Sequence, residues 1–181
     1  MRSVAVYPLI LLLFLTACTR RETPPPSALT VLEAMQAAMT DTAQTLPDGL
    51  IYHRGTPADG ETPGVSHLTD TFLSALYGEA ARGLLDGDGT GTAALGDAAI
   101  FLSVAPYPCE LAVFRCSDVR TAAAVASLCR GRLDTVAMGY ARGEWAEVAG
   151  RGAVTVEGCF VLMALSEDPA AVLRRAVRMV K

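Results

Sequence analysis

Residues 110–118 read ELAVFRCSD, and residues 119–140 continue VRTAAAVASLCRGRLDTVAMGY. The first seven alternate like a strand. Leu111, Val113 and Arg115 share one face, and Ala112, Phe114 and Cys116 share the other. Ser117-Asp118 then caps a long helix, with the acid at the positive end of its dipole. Ala122, Val125, Cys129, Leu133, Val136 and Tyr140 recur at three- and four-residue steps and form its inward stripe. Arg120, Arg130 and Arg132 fall off that stripe and read as a solvated face. Gly139 and Gly143 end the helix.

Outward from this strand–helix unit the pattern repeats. Towards the C-terminus, EWAEVA at 144–149 and AVTV at 153–156 read as short extended pieces, and CFVLMALS at 159–166 as the strongest strand. Asp168 caps a last helix with Pro169 in its first turn. Arg174, Arg175, Arg178 and Lys181 crowd its end, where cations suit the dipole. That structural role outranks a partner-binding surface, with anionic lipid contact as the alternative.

Towards the N-terminus, AAIFLSV at 98–104 is an apolar strand, joined to Glu110 by the turn Ala105-Pro106-Tyr107-Pro108. Leu32, Met35, Met39, Ala43 and Leu46 predict a helix over Ala28–Leu46, capped by Ser27 and stopped by Pro47-Asp48-Gly49. Its methionines sit among aliphatics, so packing explains them better than a soft metal site. Leu50–Tyr52 reads as a short strand and residues 54–65 as a loop. Ser66 is placed to cap a second helix from His67 to Leu85. The expected fold is therefore α+β: a small, mostly antiparallel sheet covered by helices on one face, preceded by two N-terminal helices. If the strands at Glu110 and Cys159 are neighbours they run antiparallel, and Cys116 comes near Cys159.

The first eighteen residues set the expected address. Arg2 precedes an apolar run, Val4–Leu15, that Pro8 interrupts. The run is too short to span a bilayer, which takes ~20 apolar residues. A charged start, a short core and small residues before a cut define a secretory signal. Leu15-Thr16-Ala17-Cys18 resembles the lipobox of bacterial lipoproteins. The resemblance implies a signal at 1–17, a diacylglyceryl thioether on Cys18 and acylation of the new amino terminus. Residues 18–27 then form a tether stiffened by Pro24, Pro25 and Pro26, and residues 28–181 a single domain. Two or three acyl chains anchor stably where one does not. The expected place is the outer face of the cell membrane, and the expected partners are membrane lipid through acylated Cys18 and an envelope protein.

Charge narrows the partners further. The whole chain carries 15 basic and 19 acidic residues, a formal net charge of −4. Residues 18–117 hold 5 basic and 12 acidic side chains, and residues 118–181 hold 9 and 7. Neither half offers the basic face that nucleic acid selects, so no nucleic acid partner is expected.

The cysteines and one loop are the chemistry-bearing features left. Cys109, Cys116, Cys129 and Cys159 form an even set. The ends of one seven-residue strand lie too far apart for Cys109 to reach Cys116. Cys116 with Cys159 is the pair to test, against the plainer reading of four buried free thiols. The loop DGDGTGTAALGD at 86–97 places Asp86, Asp88 and Thr90 at alternate positions before a glycine, with Asp97 last, as in an EF-hand-like calcium loop. Asp97 stands where glutamate is usual and Ala93 where a bulkier aliphatic is usual. A flexible acidic turn is the preferred reading. A phosphate cradle is set aside, because the loop lacks a lysine and its acids repel phosphate.

Glu110 to Asp168 resembles the domain of unknown function numbered 4358, a family found in bacterial lipoproteins. The stretches that carry the likeness are ELAVFRCSD at 110–118 and GYARGEWAEVAGRGAVTVEGCFVLMALSED at 139–168. Cys159 stands where a polar residue is common in the family, and Trp145 where an aromatic or aliphatic is usual. The resemblance implies a lipoprotein domain and carries over no activity, cofactor or site residue.

No catalytic set emerges from the pattern. Only His53 and His67 supply imidazole, and no cysteine pair has metal spacing. No Gly-x-Ser-x-Gly elbow is present. No catalytic residue and no cofactor is assigned. The expectation is a non-enzymatic, lipid-anchored binding domain, with a small envelope enzyme and a calcium module as alternatives.

Overall fold

The structure, a computed structural model, describes residues 24–55, 64–85, 93–104 and 106–181. Six strands form one mixed, mostly antiparallel sheet. In chain order they are β1 (Gly49–His53), β2 (Val65–His67), β3 (Leu95–Ser103), β4 (Glu110–Cys116), β5 (Ala153–Glu157) and β6 (Phe160–Leu165). Their spatial order is β2-β1-β3-β4-β6-β5, and only β1 and β2 run parallel.

The central strands explain the architecture. β3, β4 and β6 are buried along almost their whole length. Ala98, Ile100, Ala112, Phe114, Val161 and Met163 point into one core. Ala99, Phe101, Leu111, Val113, Leu162 and Ala164 point into another. A strand apolar on both sides needs a layer on each face. The layers are helical: α2 (Asp70–Tyr77), a 3-10 turn (Glu79–Ala81) and α3 (Val119–Tyr140) cover the first face, while α1 (Ala28–Asp41) and α5 (Pro169–Val180) cover the second. The fold is α+β as expected, but the helices lie on both faces and not on one.

Several local expectations are corrected. α1 ends at Asp41, not Leu46, because Ala43 turns the chain with a φ of 54°. His67 ends β2 and does not open a helix; α2 starts at Asp70, capped by Thr69 and not by Ser66. The sheet is not simply preceded by a pair of helices: β1 and β2 lie between α1 and α2 in the chain and belong to the sheet. EWAEVA holds a short helix, α4 (Ala146–Ala149), where an extended piece was expected. The Ser27, Asp118 and Asp168 caps all form, each side chain accepting from a backbone amide of its helix's first turn.

Cross-links fix the outer layers. Ala28 N–H donates to Asp97 at 2.7 Å, pinning the start of α1 to β3. The Asp168 amide donates to Gln44 at 2.8 Å, and Glu167 accepts from both Thr45 and Tyr107 at 2.8 and 2.9 Å. The end of α1 is thereby held to the start of α5. No helix among the described residues is long and apolar enough to cross a membrane.

Candidate functional site

Two buried carboxylates stand out within the cores, Asp97 and Glu110. Glu110 opens β4 and lies under α3. Arg132 donates to its Oε2 through Nε at 3.0 Å and meets it through a terminal nitrogen at 2.9 Å. Tyr77 of α2 donates to its Oε1 at 3.1 Å. Burial raises the Glu110 pKa, and Arg132 and Tyr77 pull it back in part. Burial, then the neighbouring carboxylate, lifts the Tyr77 hydroxyl well above its ordinary value. Arg132 therefore does not belong to a solvated face as its spacing suggested. It braces α3 to the sheet, its head reaching the buried acid. A cleft of about 170 Å³ opens beside this brace, lined in part by Ser103, Glu110, Arg132 and Tyr140. The carboxylate inside it is already bound on both oxygens.

Asp97 forms the second buried pair. Its Oδ1 lies 3.0 Å from His53 Nε2 and accepts the Ala98 amide at 2.9 Å, and its Oδ2 takes the Ala28 amide. Burial opposes ionisation, yet the hydrogen bonds from His53 and Ala28 outweigh it and hold the acid below its ordinary range. Of the calcium candidates only Asp97 is described; Asp86, Asp88 and Thr90 lie outside the described residues, as does Cys18. Among the described residues no three histidine, cysteine or acidic side chains cluster to hold a metal ion. His67 sits exposed on β2, in register with His53 at the end of the parallel ladder.

The four described cysteines are free thiols. Cys109, Cys116 and Cys129 are buried, and burial pushes the first two up to about 12 and raises Cys129 further. β4 and β6 are antiparallel neighbours, so Cys116 does come beside Cys159: its amide donates to the Cys159 carbonyl at 2.8 Å.

The largest opening among these features is an apolar groove of about 540 Å³ at the sheet edge, between β5 and α5. Ala153 and Thr155 of β5 form one wall. Leu173 and Val177 of α5 form the floor, and Arg174 and Arg178 stand on the rim. Both arginines are exposed, and among the described residues neither makes an ion pair. They are four residues apart on one helix face, so their Cα atoms lie ~6 Å apart along the axis. The groove thus pairs an apolar bed with two cations, the arrangement of a site for an anionic, partly apolar ligand. Sequence reading placed both arginines in a dipole-complementing cluster and missed the groove. What makes it is the neighbourhood of β5 and α5, which residue spacing does not reveal.

No protein family matches the chain, and no curated protein or solved structure matches it.

Proposed function

We propose that the chain is a lipid-anchored, extracytoplasmic binding domain whose ligand lies in the β5–α5 groove. The anchoring half rests on the signal and lipobox pattern ending at Cys18. The binding half rests on one observation, an apolar groove with Arg174 and Arg178 on its rim. The buried carboxylates favour this over an enzyme. Glu110 and Asp97 are both spent on internal braces, while Arg174 and Arg178 at the groove are exposed and available to a ligand.

Each half has its own experiment. Labelled fatty acid should enter the full chain in cells and be absent from Cys18→Ala; equal labelling of the two removes the anchor. For binding, the melting temperature of the purified full chain is measured with acidic peptides, anionic lipid and phosphodiester polymer in turn. A ligand that binds the native state alone stabilises it by about 2.7 kcal/mol at a hundredfold excess over Kd. One class should raise the melting temperature, and Ala170→Trp, which fills the groove from an exposed position, should cancel the rise. No rise with any class removes the binding half.

A further inference from the structure

One wall of the groove is an open sheet edge, and that edge narrows the ligand class. β5 pairs with β6 on one side and with no described strand on the other. Glu157 and Phe160 flank the two-residue turn Gly158-Cys159, and Gly158 has a φ of +56°, as a type II′ turn needs at its first central position. The pair closing such a turn is hydrogen-bonded, and bonding alternates from there. Ala153 and Thr155 therefore spend their backbone groups on β6, while Val154 and Val156 turn theirs outward. The side chains of Ala153 and Thr155 face the groove, and Val156 is 40% exposed.

Neither proline nor lysine guards this edge. Natural edge strands are blunted by proline, by lysine or by being very short. β2, at the opposite edge, is three residues long. β5 is five residues long, AVTVE, with neither proline nor lysine. Beside it, Arg174 and Arg178 repeat at ~6 Å along α5. Side chains on one face of an extended strand repeat at ~6.6 Å. Two acids at alternate positions of an added strand therefore match the arginines in sign and in spacing. A single-headed acyl chain would engage the floor but leave the second arginine and the outward Val154 and Val156 groups unused.

We propose that the outer edge of β5 takes up an extended acidic peptide as an additional strand. Its helix-facing side chains lay an apolar residue on Leu173 and Val177 and present acids to Arg174 and Arg178. Main-chain hydrogen bonds to Val154 and Val156 hold it, and the arginines select its charge. This deepens the groove reading above and depends on it.

The test uses the full chain and a fluorescent peptide, Thr-Val-Thr-Glu-Thr-Glu-Thr, followed by anisotropy. The expected result is saturable binding, weakened about tenfold or more by Arg174→Glu with Arg178→Glu. The same peptide with lysine for glutamate should then bind the charge-reversed chain and not the wild type. Val156→Pro removes an outward N–H and spares the β6 ladder, so it should weaken binding at an unchanged melting temperature. If Val156→Pro unfolds the chain, the charge swap decides. Binding that ignores the charge swap overturns the proposal. So does a chain that is stabilised by phosphatidylglycerol vesicles or phosphodiester polymer but not by the peptide; the groove reading then survives with a different ligand. No response to any of the three removes both.

Discussion

Asp97 accepts the amide hydrogen of Ala28 at 2.7 Å, across 69 positions of sequence, so a β3 side chain closes the first turn of α1. The same carboxylate is 3.0 Å from His53 Nε2 on β1. One acid therefore ties two strands to a helix. Its pKa lies below the ordinary 3.8, so the ionised form is the one the fold prefers. That contribution is fully present above pH 3.8 and is lost as pH falls through the lowered folded value. Asp97→Asn should cost about 1–3 kcal/mol at neutral pH. In thermal melts the gap from wild type should close as pH falls below that window. A gap unchanged down to acid would mean the charge on Asp97 contributes nothing. Calcium at millimolar concentration should leave the wild-type melting temperature unmoved, because the protein's own donors already occupy both oxygens.

Arg132 and Glu110 form the deeper brace. The Glu110 side chain is only 4% exposed and that of Arg132 22%. Removing the arginine strands a buried carboxylate, which costs about 3–5 kcal/mol in comparable pairs. Arg132→Met should therefore be severely destabilised, and adding Glu110→Gln should recover much of the loss, because it removes the orphaned charge. Because the Glu110 pKa is raised, its protonated form suits the fold. Arg132→Met should accordingly be most stable at low pH and lose stability as pH rises past the ordinary 4.5. Denaturant melts across pH would show it, and a flat profile in Arg132→Met would contradict the assignment.

Cys116 and Cys159 are poised for a cross-strand disulfide. Their 2.8 Å backbone hydrogen bond caps the Cα separation at about 6.7 Å once the fixed angle at the carbonyl carbon is added to the bond lengths. That lies inside the ~7 Å limit for bridging. In glutathione disulfide the two thiols should exchange to one protein disulfide, releasing two glutathione thiols and lowering the protein mass by two hydrogens. Peptide mapping should find the 116–159 link, and Cys116→Ser should abolish it. Cys109 and Cys129, buried and with raised thiols, should stay reduced. A link involving either would show that the register of β4 and β6 is not as described.

Gly49 opens β1 against the ring of Phe101. A Cβ there would collide with that ring and with the Leu102 carbonyl. Gly49→Ala should cost about 1–3 kcal/mol as an overpacking change. For a domain of this size that lowers the melting temperature by ~2–4 °C per kcal/mol. An unchanged melting temperature would mean β1 shifts freely at its start.

The sequence-level reading went furthest where local chemistry decides. β4, the three helix caps and the inward stripe of α3 follow from period and capping residues and appear; of the α1 stripe Leu32, Met35 and Met39 are buried, while Ala43 and Leu46 fall beyond the helix and are exposed. The second helical layer was hidden because CFVLMALS announces a strand without saying that both of its faces need cover. EWAEVA failed because Trp145 and Val148 pack into a core as a helical turn, a tertiary effect that short apolar runs do not announce. The Glu110–Arg132 brace was missed because helical phase places Arg132 beside the apolar stripe, and only the packing of α3 against the sheet brings its head to Glu110. The groove was unreadable for a related reason: Thr155 and Arg174 become neighbours only once β5 and α5 are set side by side.

The most direct test of the groove is a backbone amide map of the isotopically labelled full chain with the strand peptide added. The expected result is that amides of Ala153–Glu157 and of residues 173–178 shift together, and that Val154 and Val156 gain protection from exchange. Shifts confined to another surface, or none at peptide concentrations that saturate anisotropy, would contradict it.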